Sequence, residues 1–232
     1  MVMTDGETHV PGVLRPKDAA TLILVKRGES GPQVLMGCRH SGMAFMANKY
    51  VFPGGRLDPG DQRISVEHNL RPEVMARVCR GITTSRARGL ALAAIRETFE
   101  ETGILVGERG KPPRTRSPAW QRFFDHGIVP RLDGLEMIAR AITPPNRSRR
   151  FDARFFLADA SAIAMTLDTA GHDELLTPSW LTLAEARALD LPGITRRVLD
   201  EVELRLADPQ GTQRPAPFFR FLRGRTDETW LE

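Results

Sequence analysis

The chain has 232 residues, 41% of them hydrophobic and 27% charged, which suits one large globular domain with room for a two-part arrangement. Its formal net charge of +4 comes from arginines scattered along the chain, with knots at Arg147/Arg149/Arg150 and Arg220/Arg223/Arg225. The aromatic-plus-basic signature of a nucleic-acid-binding module is absent, so solvated faces are the default and pockets for phosphate-bearing small molecules the sharper reading. Cys38 and Cys79 lie far apart without metal-ligand spacing and read as free thiols in a reducing cytosol. Asp5, Glu7, Arg15 and Lys17 leave no signal-like apolar core near the first residue, and no apolar run reaches membrane-spanning length. The expectation is a cytoplasmic protein with neither nucleic acid nor membrane as partner.

In chain order, residues 1–18 read as a flexible lead-in. Residues 19–25 form a buried strand, 28–32 a turn, and 33–38 a second strand that makes a hairpin with the first. Residues 39–49 are a loop whose Met43, Phe45 and Met46 either line a ligand pocket or pack under the sheet. Arg39, at its start, is a candidate substrate contact. The run Val51-Phe52-Pro53-Gly54-Gly55 ends a strand in glycines that let backbone approach a ligand or helix closely. Residues 62–89 read as an insert. Pro72 at a first helical position, Val74, Met75 and Val78 on one face, and Gly81 as terminator mark a short helix within it, and Thr84 or Ser85 caps the helix that follows. Arg86 and Arg88 fall where the helix dipole disfavours cations, which leaves them solvated or facing an acidic group.

That second helix ends in Arg96-Glu97-Thr98-Phe99-Glu100-Glu101-Thr102-Gly103-Ile104. Leu92, Ile95 and Phe99 form its apolar stripe, and Glu97, Glu100 and Glu101 stand at i, i+3 and i+4 on the opposite face. Gly103 suits a left-handed helix terminator. Like charges about 4 Å apart repel by roughly 1 kcal/mol in water and roughly 4 kcal/mol at a partly buried site. Three carboxylates near a helix C-terminus also oppose its dipole. An ordinary acidic face explains this less well than a divalent cation does, and an all-oxygen ligand set favours Mg²⁺ or Mn²⁺.

Beyond it, residues 107–113 are a polar linker, Ser117-Pro118 opens a helix to Phe124, and 135–142 and 151–158 are strands flanking a basic loop. Thr182-Leu183-Ala184-Glu185 is a capping box opening a short helix, and Pro192-Gly193 opens a longer one to about Ala207. The irregular alternation of strands and helices points to a mixed sheet between helices. The segment 208–232, with Phe218, Phe219, Phe221 and Trp230, is expected to pack on the domain of 19–207 or on a second copy in a homodimer.

Gly55, Arg96-Glu97, Glu100-Glu101 and Gly103 together resemble the box signature of the Nudix hydrolases, which cleave a nucleoside diphosphate linked to another group. Two departures stand out: the first acid is Asp61 rather than Glu, and a long insert separates it from Arg96. The resemblance implies an α/β fold, a Nudix-type α/β/α sandwich with a mixed sheet and a helical insert within the box. It implies Gly54, Glu97, Glu100 and Glu101 as metal ligands, with Glu97 and Glu101 in catalysis and Glu97 either a third ligand or the base. Arg96, Gly55 and Gly103 would hold the box in shape, Arg96 by pairing with a neighbouring carboxylate. Glu174, in Gly171-His172-Asp173-Glu174, is the candidate for a further acid; a plain loop is the alternative. Arg150 and Phe151 would hold a phosphate and stack a base, or else form a solvated hairpin turn. Residues 42–46 leading into 51–58, the insert and 149–156 further resemble the branch of organellar coenzyme A diphosphatases and their bacterial relatives. A small-molecule nucleoside diphosphate derivative is therefore expected, with coenzyme A or acyl-coenzyme A ahead of ADP-ribose or NADH. Two alternatives remain on this fold: a non-catalytic nucleotide sensor, which the complete set of box glutamates disfavours, and an isomerase with a reactive Cys–Glu pair, for which Cys38 and Cys79 lack a recognisable context.

Overall fold

The computed structural model describes residues 14–42, 46–145, 147–167, 175–208, 214–222 and 224–232. Strand β1 (Lys17–Gly28) has a period-two pattern that is apolar on both sides, as a central strand covered on two faces requires. Ala20, Leu22 and Leu24 point into one core, Ile23 and Val25 into the other. Strand β2 (Gly31–Arg39) returns antiparallel, in register from Val25↔Val34 to Gly28↔Gly31. Further along, two short strands attach separately to this pair. β3 (Tyr50–Val51) pairs with β2, and β4 (Gly54–Arg56) pairs with β1 through Thr21↔Gly54 and Ala20↔Gly55. The Gly54-Gly55 turn is thereby fixed on the central strand.

Next come α1 (Pro72–Val78), α2 (Thr84–Thr102), β5 (Ile104–Val106), β6 (Glu108–Arg109), α3 (Pro118–Phe124) and β7 (Ile128–Val129). They are followed by β8 (Glu136–Ile142), β9 (Phe151–Asp159), β10 (Ile163–Thr166), β11 (Leu175–Thr182), α4 (Leu183–Ala188), α5 (Gly193–Ala207), β12 (Ala216–Leu222) and β13 (Arg225–Leu231). Among the described residues, the main sheet has nine strands in the order β11-β2-β1-β9-β8-β12-β13, with β3 and β4 as branches. β1–β9 and β12–β8 run parallel and the other pairs antiparallel, so the sheet is mixed. Small ladders join β5 to β10 and β6 to β7. Residues of α1, α2 and α3 share one core, while Ala186 of α4 and Val198, Leu199 and Val202 of α5 share the other. The result is an α/β fold with helices on both faces of a mixed sheet. No described helix is long and apolar enough to cross a membrane.

Several expectations need correction. Thr83, not Thr84 or Ser85, caps α2, accepting from Arg86 N at 3.3 Å. Residues 84–89 belong to α2, so the excursion ahead of it ends at 83. The polar linker 107–113 contains strand β6. β11 is an edge strand with an irregularity between Leu176 and Ser179, where the N–H that Pro178 lacks costs no ladder bond. Residues 216–231 form a hairpin whose β12 continues the chain's own sheet beside β8.

Candidate active site

Along the middle of α2 the small and aliphatic residues Ala87 and Gly89 through Ile95 are all buried, so the helix is enclosed on every side there. Gly103 ends the helix at φ 68°, in the left-handed region, with its N–H bonded to the Phe99 carbonyl. Thr98 stands where the box calls for an apolar residue. It is fully buried, and its hydroxyl donates to the Ala94 carbonyl at 2.8 Å, so the substitution leaves no unmet polar group.

Arg96 sits at the centre of the glutamates. Its Nε and Nη2 meet the two oxygens of Asp61 at 2.8 and 3.0 Å, and Nη2 also meets the Arg56 carbonyl at 2.9 Å. Nη1 reaches Glu97 Oε1 at 2.8 Å and Glu100 Oε2 at 2.7 Å. Burial by itself disfavours its charge. The bonds to Asp61 and the charges of Glu97, Asp61 and Glu100 override that and raise its pKa above the ordinary arginine value. Asp61 is fully buried and also accepts from the Trp120 indole at 2.8 Å and the Asp58 N–H at 2.8 Å. The Asp that stands for the first box acid is thus Arg96's partner.

The three glutamates are not equivalent. Glu101 is only 4% exposed and accepts from the Gly54 N–H at 2.9 Å. Glu97 lies against Gly55 so closely that a Cβ there would come within 2.3 Å of its carboxyl carbon. Burial pushes the Glu97 carboxyl up to about 7, against the opposing pull of Arg96. Glu100 has both its oxygens paired, Oε2 with Arg96 and Oε1 with Arg122 Nη2 at 3.0 Å.

Other candidates fall elsewhere. Arg150 ties two segments together: its Nε donates to the Thr143 carbonyl at 3.0 Å and its Nη1 to the Leu14 carbonyl at 2.5 Å. Phe151 opens β9 and pairs with Lys17. Arg39 ends β2 opposite Leu175, with its Nε buried and lacking a hydrogen-bond partner among the described residues. Met43, Phe45, His172 and Glu174 lie outside the described residues. Leu167 donates to the Gly103 carbonyl and Leu175 faces Arg39, so the chain leaves the box end and re-enters beside Arg39. A cavity of about 310 Å³ lined by Ser65, Glu67, Glu108, Arg109 and Lys111 shares no residue with this site.

Among the described residues, no group of three or more His, Cys, Asp or Glu side chains is already gathered as a metal cage. Two carboxylates nevertheless fit a hard cation: Glu97, nested on Gly55 at a cost in buried charge, and Glu101, held by Gly54. Both donate oxygen only, the set that Mg²⁺ or Mn²⁺ prefers.

No family model matches the chain. A Caenorhabditis elegans protein named as a nudix hydrolase is 28% identical over 153 residues, which is 61% of this chain and 43% of that protein. The match therefore spans less than half the length of that curated relative. The crystal structure of a NUDIX hydrolase from Alicyclobacillus acidocaldarius aligns with a TM-score of 0.60 at 26% identity, over 83% of this chain and 96% of that one. The fold is that of the Nudix proteins. In sequence and in fold the chain is thus similar to Nudix hydrolases.

Proposed function

We propose that the chain is a divalent-cation-dependent hydrolase that cleaves the diphosphate of a nucleoside diphosphate derivative, with coenzyme A or an acyl-coenzyme A as the substrate. The observation that carries this reading is the pair of carboxylates set over Gly54-Gly55, half-buried Glu97 braced by Arg96 and buried Glu101 held by the Gly54 N–H. A solvated acidic face would need neither a glycine cradle nor a five-bonded arginine behind it. Glu97 and Glu101 would hold Mg²⁺ or Mn²⁺, which when bound supplies charge neutralisation for the diphosphate and a lowered pKa for the attacking water.

The protein's own contribution is positioning. Arg96 holds Glu97 at one oxygen and is itself fixed by Asp61, so the carboxylate enters the reaction already oriented. Gly55 keeps the space over Glu97 clear of a side chain. Water attacks one phosphorus, the bridging oxygen leaves with the other, and two monophosphates result without a covalent enzyme intermediate. The coenzyme A branch rests on the resemblance of residues 42–46, 51–58 and 149–156.

The test is product release with Mg²⁺ or Mn²⁺ on coenzyme A, an acyl-coenzyme A, ADP-ribose, NADH and a nucleoside triphosphate, with chelator and Glu101→Gln as controls. A cation-dependent preference for coenzyme A, lost in the variant, supports the full reading. Turnover of another compound keeps the chemistry and discards this substrate. No turnover of any compound, with cation bound, overturns the enzyme assignment in favour of a sensor.

A further inference from the structure

The chain that follows the box builds a second concavity. Gly107, at φ 152°, and Gly110 bring β6 close against β7. A Cβ on Gly107 would lie 2.1 Å from the Val129 carbonyl oxygen, and one on Gly110 2.6 Å from the Val129 side chain. The Gly110 N–H donates to the Gly127 carbonyl, and the Leu132 N–H donates to the His68 carbonyl, which ties residues 65–68 alongside this ladder. The cavity of about 310 Å³ lies between these segments, at the small end of ligand pockets, which run from roughly 300 to 1,000 Å³. Its lining has an apolar part and a charged part. Val66, Pro113 and Val129, half-buried, and Pro130, buried, supply the apolar part. Among the charged residues Glu108 is committed: Oε1 meets His68 Nε2 at 3.1 Å and Oε2 meets Arg131 Nη1 at 3.0 Å. That leaves exposed Arg109 and Lys111 without an ion-pair partner among the described residues. With Glu108 balanced by Arg131, these two cations against Glu67 leave the lining one positive charge in excess.

We propose that this cavity is a second ligand site, sharing no residue with the box, for a small aromatic monoanion. The acidic group pairs with Arg109 and Lys111, and the ring lies on Val129 and Pro130, where it removes apolar surface from water. A solvated basic loop accounts for the two cations alone. It does not account for an apolar floor enclosed beside them by two close glycine contacts. Glu67 disfavours a polyanion through like-charge repulsion, so a single negative charge is the better match.

The probe is anilinonaphthalene sulfonate, an aromatic monoanion whose fluorescence rises on leaving water. It is titrated into the full chain in chelator, so that cation at the box carboxylates plays no part. Saturable binding at one site is expected. Arg109→Glu/Lys111→Glu should weaken it about tenfold or more, because repulsion replaces attraction. Val129→Ser, which makes the floor polar, should weaken it roughly threefold or more. Arg149→Glu/Arg225→Glu makes the same change in net charge at exposed positions on other hairpins, and should alter binding less than about twofold. Absence of saturable binding overturns the proposal. Equal weakening by the two charge-reversed pairs also overturns it, since that marks a long-range field. So does binding that neither Arg109→Glu/Lys111→Glu nor Val129→Ser affects, which puts the probe elsewhere on the surface. Thermal melts check each variant, and Arg109→Ala/Lys111→Ala, with an intermediate weakening expected, stands in for the reversed pair should that pair not fold.

Discussion

The carboxyl group of Glu97 rests on the backbone of Gly55, 2.3 Å from where a Cβ would be. Gly55 has no unusual backbone angle among the strained positions, so the requirement for glycine is purely one of space. Gly55→Ala should therefore push Glu97 off the position that Arg96 gives it. We expect a stability loss of about 1–3 kcal/mol from overpacking. We expect a fall in turnover of on the order of a hundredfold or more, since a misplacement of about 1 Å at a reacting centre has that effect. A steady-state comparison with urea unfolding of the same variant separates the two. Full turnover in Gly55→Ala would show that Glu97 has another way to sit.

Asp61 is the deepest charge in the box. It is fully buried and accepts four hydrogen bonds, two from Arg96, one from Trp120 and one from the Asp58 N–H. Asparagine has the same shape but turns one oxygen into a donor, which would face donors on every side. Asp61→Asn should cost about 3–5 kcal/mol, the range for breaking a buried pair from one end. Denaturant titration reads it directly, and a loss under 1 kcal/mol would mean that Arg96 does not depend on Asp61.

How much of this was readable beforehand follows the range of each interaction. Arg96, the three glutamates and Gly103 lie within eight positions on one helix, and helical periodicity alone brings them together. The capping box at Thr182–Glu185 is local in the same way, and its reciprocal bonds are present. Arg122's hold on Glu100 crosses 22 positions between two helices, and no spacing rule announces it. Arg150 looks like a phosphate grip in sequence because carbonyl partners such as Thr143 and Leu14 leave no trace there. The segment 62–89 reads in sequence as an insert with a short helix. Val74 and Val78 of α1 are buried in the α2 core, and Arg77 donates to the Met137 carbonyl, so this helix is part of the domain's wall.

In sequence Glu101 reads as one of three carboxylates on the face opposite the apolar stripe. At 4% exposure it is a core residue, yet glutamine preserves the acceptor for the Gly54 N–H. Glu101→Gln should thus hold stability within about 1–2 kcal/mol, since the hydrogen bond survives and only charge is lost. Turnover should drop by about a hundredfold or more with the loss of one anionic ligand. Glu101→Ala should lose the same activity and more stability. Equal stability of the two variants would mean that the Gly54 contact contributes nothing.

Glu97 also makes the stability of the cation-free protein depend on pH in a specified direction. Burial raises its folded-state pKa from 4.5 to about 7. A raised pKa means that the folded state binds the proton more tightly than the unfolded chain does. The associated stability is fully present below about 4.5 and is lost as pH rises through about 7. In chelator, wild type should lose on the order of 2 kcal/mol relative to Glu97→Gln between these limits, less than the full shift because the group is partly exposed and coupled to Arg96. Adding Mn²⁺ should remove most of the difference, because a cation over Glu97 stabilises the ionised form that burial penalises. Urea unfolding of both proteins at several pH values, with and without Mn²⁺, provides the comparison. Parallel pH curves for wild type and Glu97→Gln in chelator would mean that Glu97 is solvated in the absence of cation, and the buried-charge argument for a metal at Gly55 would lose its basis.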